Sequence, residues 1–332
     1  YLFAQTPLLE RIGAAEGLSQ GMIFDLLQDR QGFLWFATKD GLNRYDGYSF
    51  QVFQNNPFDP YSISDNEVQA LMEDHLGRIW VGTVNNGLNV LDPQTGKFHH
   101  LNNLSSQNIL CLAQTKDGSI WAGTSKSVDR IRIPDSLSFN SPNLEASVQV
   151  DTFHWELNTT NTQSPYNRTV DLLGAKDGKL WVSTFLQIGL YDPATGLFKT
   201  LRKNPPPIKN EYFSSLFQEG ADGAMWAGQP GQVLRFSGTK QDVFLLPEPS
   251  AYPLTDMVFD AAGNIFVSTR KQIFKLNAAH TSSPKTARFD LFYRFPNEGI
   301  VGTTKLMLDR GGLIWIGTNG YGLRKYNPGN PR

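Results

Sequence analysis

Few residues in this chain of 332 have side chains suited to catalysis: five histidines, one cysteine and an aspartate that recurs just ahead of a glycine. Metal-assisted or general acid–base catalysis needs imidazoles and carboxylates that converge on one point. His75 reads as part of a turn, His99 and His100 as part of an outer strand, His154 as part of an insertion and His280 as part of a separate connection, so no convergence is expected. Cys111 sits in an apolar run with Ile109, Leu110 and Leu112 and reads as a small buried hydrophobe; a lone cysteine has no intrachain partner for a disulfide. Asp29, Asp74, Asp117, Asp177, Asp222, Asp260 and Asp309 read as one class of turn former, in which the carboxylate caps a four-residue turn and glycine takes the left-handed position. There is no glycine-rich phosphate loop, no metal-ligand spacing and no serine elbow. No catalytic residue, no metal and no cofactor is therefore expected.

These aspartates mark a repeat. "DRQGFLWFATKDGLNRY" (29–45) returns as "DHLGRIWVGTVNNGLNVLD" (74–92), "DGSIWAGTSKSVDRI" (117–131), "DGKLWVSTFLQIGLYD" (177–192), "DGAMWAGQPGQVLRF" (222–236), "DAAGNIFVSTRKQIFKL" (260–276) and "DRGGLIWIGTNGYGLRKY" (309–326). The anchor aromatics of these seven copies are Trp35, Trp80, Trp121, Trp181, Trp226, Phe266 and Trp315, spaced by 45, 41, 60, 45, 40 and 49 residues. Each copy parses as four strands, the size of a β-propeller blade. The expected fold is all-β: one seven-bladed β-propeller of four-stranded antiparallel blades over residues 1–332, its last blade completed by an N-terminal strand near Leu8 to Ile12.

The period of two places Trp80 and Gly82 on one face of the second strand and Ile79, Val81 and Thr83 on the other, so both faces must be covered. The tryptophans read as wedges between blades. The small residue two positions on (Ala37, Gly82, Gly123, Ser183, Gly228, Ser268 or Gly317) reads as space for the adjoining blade. The long interval after Trp121 is read as a lower connection, the outer strand "SVQVDTF", and an upper loop that carries Trp155, which either folds back or makes a contact.

Net charge of -1 gives no electrostatic footprint for nucleic acid or an anionic membrane. No run reaches the roughly 20 apolar residues of a membrane span. The start "YLFAQTPLLE" lacks the build of an intact signal peptide, so export implies a signal already removed.

In blade geometry the loops between second and third strands share the upper face with the connections from blade to blade. The candidate ligand-binding residues there are Lys39, Asp40, Asn66, Asn85, Asn86, Arg168, Tyr212, Arg270, Asn319 and Tyr321. Amides, charges and a tyrosine ring are the groups that hydrogen-bond sugar hydroxyls, pair with a sugar carboxylate or sulfate, and cover a sugar's apolar face.

The stretch "GLSQGMIFDLLQDRQGFLWFATKDGLNRYDGYSFQVF" (17–53) resembles the two-component regulator propeller repeat, especially that of hybrid two-component sensors of gut Bacteroidetes; the turn, "WxGT", "GL" and following "Y" carry the likeness. Phe266, Ser268 and Gln229 depart from the pattern, and the third and fifth copies lack a clear "GL". The resemblance implies the first propeller of a periplasmic sensor region, the ectodomain of an inner-membrane protein. It implies that a second propeller, an immunoglobulin-like domain, a membrane span, a histidine kinase and a receiver follow, with an oligosaccharide as the typical signal. Homodimerisation is a further option. The alternative is a non-catalytic scaffold that packs on a second propeller or a dimer partner. A third reading, a propeller lyase, comes from a likeness to streptogramin lyases, whose metal-assisted site needs clustered His and carboxylate groups; here only His154 is expected to approach the upper face. "DPQTGKFHHL" (92–101) and "YDPATGLFKTL" (191–201) resemble in part the docking segments of quinoprotein dehydrogenase propellers but lack the trailing tryptophan.

Overall fold

A computed structural model describes residues 7, 9–92, 94–134, 137, 142–154, 167–204, 216–238, 240–247, 253–281, 284, 286–295 and 302–329. Strand β1 (Glu10–Ile12) comes first. The first sheet then runs in the order β2 (Ile23–Gln28), β3 (Leu34–Thr38), β4 (Gly41–Tyr45), β5 (Phe50–Phe53), and the second β6 (Val68–Glu73), β7 (Ile79–Thr83), β8 (Leu88–Leu91), β9 (Phe98–Leu101). The third is β10 (Ile109–Gln114), β11 (Ile120–Thr124), β12 (Val128–Arg132), β13 (Gln149–Phe153), and the fourth β14 (Thr169–Gly174), β15 (Leu180–Thr184), β16 (Gln187–Asp192), β17 (Leu197–Lys203). The fifth is β18 (Leu216–Glu219), β19 (Met225–Gln229), β20 (Gln232–Ser237), β21 (Lys240–Leu245), and the sixth β22 (Leu254–Phe259), β23 (Ile265–Thr269), β24 (Gln272–Leu276), β25 (Asp290–Arg294). The seventh combines β26 (Thr303–Leu308), β27 (Ile314–Thr318) and β28 (Leu323–Tyr326) with β1. This is a seven-bladed β-propeller of four-stranded antiparallel blades. The contacts group into two compact units, Asp29–Ser215 and Tyr1–Gln28 with Leu216–Arg332.

Within Asp29–Ser215 the anchor strands β3, β7 and β11 are buried at every position. Trp80 is fully buried and packs with Ile109, Ile120, Ala122 and Ile131 of the following sheet. Trp121 packs likewise with Leu172, Leu180, Val182 and Tyr191. The small residue beside each wedge has the steric role expected of it. A Cβ on Gly82 would lie 2.7 Å from Ile109 Cγ2, and one on Gly123 2.6 Å from Thr169 Cγ2.

A buried indole brings an N–H that must find an acceptor. Trp35 Nε1 donates to Asp29 Oδ2 at 2.7 Å and Trp80 Nε1 to Asp74 Oδ2 at 2.8 Å, while Oδ1 of each aspartate caps the turn by accepting backbone N–H groups. All seven aspartates cap a turn as expected, but from two positions. Asp29, Asp74, Asp260 and Asp309 stand six residues before their anchor, whereas Asp117, Asp177 and Asp222 stand four before it. In the third blade Thr115 takes the earlier position: its Oγ1 accepts from Trp121 Nε1 at 2.9 Å and donates to Asp117 Oδ1 at 2.6 Å. The later aspartates serve as counter-ions to a neighbouring base, as in Arg130–Asp117 at 2.7 Å and Lys179–Asp177 at 3.1 Å.

The third strand adds a cation. Arg44 and Arg130 pair across the ladder with Trp35 and Trp121, with their guanidinium carbons 5.7 and 5.5 Å from the rings. In the second blade the cross-strand partner of Trp80 is Val90, and Arg78 supplies the cation instead at 5.7 Å. The threonine that ends "WxGT" closes the turn at the other end of the strand: Thr38 Oγ1 donates to Gly41 O and Thr83 Oγ1 to Gly87 O, both at 2.8 Å. The long interval after Trp121 contains the expected outer strand, β13. Its connection also returns along β9, where Leu144 N donates to His100 O at 3.1 Å and Leu144 is buried. The expectation for Trp155 lies outside the described residues.

In the other unit β1 pairs antiparallel with β28, matching Glu10 to Lys325 and Ile12 to Leu323, and Lys325 Nζ lies 2.9 Å from Glu10 Oε2. The N-terminal segment therefore completes the last blade as the sequence implied. The inner strands carry a register shift at a fixed place, Leu254/Asp256 in β22 and Thr303/Lys305 in β26. Asp256 uses its carboxylate there to accept from Leu306 N of the next sheet at 2.8 Å; burial pushes this carboxyl up, opposed by Lys305.

Two outcomes follow. Trp80→Ala should cost about 3–5 kcal/mol in chemical denaturation, because it removes a fully buried wedge and strands Asp74 Oδ2. Deleting residues 1–15 should uncover the edge of β28 and broaden the thermal transition at a lower midpoint; a melt equal to the parent's would show that β1 does not close the seventh blade.

Candidate functional site

The upper ends of the strands in Asp29–Ser215 bring together part of the predicted set. Asp40 lies in the β3–β4 turn, where Gln54 Nε2 donates to its Oδ1 at 3.0 Å, and Lys39 beside it is exposed. Asn66 is used structurally: its carbonyl accepts from Gly41 N at 2.6 Å and its Oδ1 from Asn55 N at 2.7 Å. Asn85 is likewise committed, with its backbone N and its Nδ2 both 3.1 Å from Asp65 Oδ2. Arg168 precedes β14 and is half-buried; burial pulls its guanidinium below the usual arginine range, opposed by Cys111. Arg270, Asn319 and Tyr321 lie in the other unit, on the β23–β24 and β27–β28 turns, where Asn319 N donates to Gly302 O at 2.8 Å and Tyr321 N to Thr318 Oγ1 at 3.1 Å. Tyr212 lies outside the described residues.

Asn86 is the member of the set that lines a cleft. The connection from β5 to β6 and the edge of the second sheet enclose about 490 Å³ between Asn55, Asn56, Asp59, Ser62, Ser64, Asn86, His100, Asn102 and Gln107. Internal bonds fix how each side chain faces. Asn55 Nδ2 donates to Ile63 O at 2.8 Å, Asn86 Nδ2 to Ser64 O at 3.1 Å and Gln107 Nε2 to Asn102 O at 2.6 Å, which leaves three amide oxygens as acceptors. Asn56 is turned the other way: its Oδ1 accepts from Phe58 N at 3.1 Å, so its NH₂ remains a donor. His100 Nε2 lies 2.8 Å from the Ser62 carbonyl and donates to it. One carboxylate, Asp59, is the sole charged side chain of the lining. Phe58, next to Asn56 and Asp59, exposes 96% of its surface.

Five amides, an imidazole, two serines and one carboxylate give this cleft a lining of hydrogen-bonding groups. Sequence reasoning named Asn86 and passed over the rest. The signal was present in "QNNPFDPYS" (54–62), an amide-rich, proline-braced connection with an aromatic at its tip. Among the described residues no three His, Cys, Asp or Glu side chains gather as a metal-holding group. His75, His99, His100 and His280 fall on the turn, outer strand and connection the sequence implied, and His154 follows β13 as an exposed residue.

The family model described as "two component regulator propeller" matches residues 17–40, 62–85 and 103–126. Each match opens on an apolar–serine pair ahead of an inner strand, and Ser64 N and Ser105 N donate to buried Asn89 Oδ1 and Asp129 Oδ2 at 3.0 and 2.8 Å. Histidine kinase P4 of Formosa agariphila is 51% identical over 49 residues, 15% of this chain and 4% of that protein. Among solved structures, the extracellular domain of BT3049 from B. thetaiotaomicron, assigned as a hybrid two-component system, aligns over 96% of this chain and 42% of its own at TM-score 0.73 and 19% identity. That of BT4673 from the same organism aligns over 96% and 39% at 0.73 and 16%. A streptogramin B lyase aligns over 97% and 98% at 0.71 and 16%, so the architecture is common to sensors and an enzyme. The chain spans less than half the length of the two sensor domains it matches. The three matched repeats, two of them with a serine-to-third-strand bond, make this part of the chain similar to the two-component regulator propeller repeat.

Proposed function

We propose that the chain is part of the extracytoplasmic, periplasmic sensor region of a hybrid two-component system. In this reading it is non-catalytic, and its propeller takes part in recognising an oligosaccharide whose binding is relayed to a histidine kinase elsewhere in the longer protein. The observation that carries this reading is the cleft beside Phe58: amide oxygens, one amide donor and an exposed ring, with a single charge. Such a lining matches the alternating donors and acceptors of sugar hydroxyls and the apolar face of a pyranose. The family match and the likeness to sensor ectodomains support it.

A second reading, a scaffold that packs on another domain or a second copy, is favoured by the outer strand β21. Val243 and Leu245 point outward there with 39% and 68% of their surface exposed. Isothermal titration of the purified chain against a panel of neutral oligosaccharides separates the two. A sugar ligand should bind, and Phe58→Ala should weaken it roughly tenfold by loss of the stacking face, with the melting temperature unchanged because the ring is exposed. A panel without a binder, together with self-association abolished by Leu245→Asp, would favour the scaffold.

A further inference from the structure

The one carboxylate of the amide-lined cleft is held firmly in place yet only half used. Asp59 is preceded by Pro57 and Phe58 and followed directly by Pro60, so prolines restrict the backbone on both sides. Its N donates to Asn56 O at 2.9 Å, and its carbonyl accepts from Ser62 N at 3.1 Å and from Ser62 Oγ at 2.9 Å. On the side chain, Oδ1 accepts from Tyr61 N at 2.9 Å, whereas Oδ2 has no hydrogen-bond partner among the described residues. Asp65, in the same connection between β5 and β6, spends both oxygens: Oδ1 accepts from Glu67 N at 3.2 Å, and Oδ2 from Asn85 N and Nδ2 at 3.1 Å each.

The surroundings of Asp59 supply no counter-ion. No lysine or arginine lines the cleft, and Asp59 forms no salt bridge among the described residues. The Lys97 ammonium, which reaches the same connection, lies over the Tyr61 ring at 4.3 Å from its centroid instead. Asn55, Asn86 and Gln107 each commit an amide N–H to a backbone carbonyl, and their three oxygens add neutral acceptors to the unpaired carboxylate. A lining of this kind repels a carboxylate or sulfate and attracts a cation that can donate several hydrogen bonds. A protonated primary amine is such a group, with three N–H donors and no acceptor.

We propose that this cleft selects an amino sugar, whose protonated amine pairs with Asp59 Oδ2 while its hydroxyls meet the surrounding amides. The inference rests on the oligosaccharide reading above and adds to it the charge of the ligand. Because Asp59 is exposed, the ion pair is screened by solvent, and the preference it confers is about fivefold.

Three disaccharides that share one β-1,4-linked frame and differ only at C2 test it: the glucosamine disaccharide with free amines, its N,N′-diacetyl form, and cellobiose. They are titrated calorimetrically into the whole chain at low ionic strength, at a pH at which the amines are protonated. The free-amine disaccharide should bind about fivefold tighter than cellobiose and than the diacetyl form, and added salt should narrow the gap. Asp59→Asn should bring the ratio of free-amine to cellobiose affinity to about one. The melting temperature should not move, since asparagine keeps an oxygen for Tyr61 N and the side chain is exposed. Cellobiose or the diacetyl form binding at least as tightly as the free-amine disaccharide, or a preference that survives Asp59→Asn, would overturn the choice of an amino sugar and leave the oligosaccharide reading standing. Absence of binding by all three would overturn it and count against that reading as well.

Discussion

In the blades of Trp35, Trp80 and Trp315 the hydrogen bond from the anchor indole to the aspartate six residues earlier is the constraint on which the rest of the blade depends. A tryptophan can serve as a wedge between sheets only if its N–H is satisfied in the interior, and the acceptor is the same carboxylate that caps the hairpin. The turn, the strand that follows and the packing against the next sheet are therefore set together. Two exceptions obey the same logic, whereas Ala175 and Gly220 offer no side-chain acceptor to Trp181 and Trp226. Where Phe266 replaces tryptophan, Asp260 keeps the cap and turns Oδ2 to Asn264 Nδ2 at 2.7 Å. Where threonine replaces aspartate, its hydroxyl accepts from the indole and donates a hydrogen bond to Asp117. The cation over the ring belongs to this arrangement: Arg235 over Trp226 at 5.7 Å, Lys275 over Phe266 at 5.2 Å and Lys325 over Trp315 at 5.8 Å repeat it in the other unit.

This dependence explains what was legible in the sequence. A residue that must be large, aromatic and placed at one point in every blade leaves a periodic mark, so blade number, strand order and the completing strand before Ile12 could all be read. The two registers of turn aspartate could not, because Asp117 and Asp74 look alike in sequence until the acceptor for the indole is located. The cross-strand cations were visible as the basic residues of "GLNRY", "VDRI" and "LRKY", yet strand pairing was needed to place them over rings. Site residues were harder still. Asn66 and Asn85 are polar and in surface loops, as a ligand contact would be, but their amides hold those loops in shape. What separates them from Asn56 is the direction of a side-chain bond, which sequence does not encode.

Two clefts of Asp29–Ser215 differ in origin. The amide-lined cleft is added to the blade pattern by an elongated connection with an aromatic at its tip. A second cleft, at the lower ends of the strands, lies where β14 ends on Gly174, a position at which a Cβ would come 1.9 Å from Gln114 O. A repeat fold offers both routes, because a regular lattice of contacts can be locally extended or locally omitted while the neighbouring blades keep their packing.

The pairing of β1 with β28 also governs the order in which the molecule can mature. Glu10–Ile12 leaves the ribosome more than 300 residues before Leu323–Tyr326, so it must wait as an unpaired strand until the seventh blade has been made. Its brevity and its two charged residues, Glu10 and Arg11, keep that waiting edge from recruiting a wrong partner. The last blade becomes the timer of assembly: protection of β28 from proton exchange marks the moment at which β1 and β28 have met.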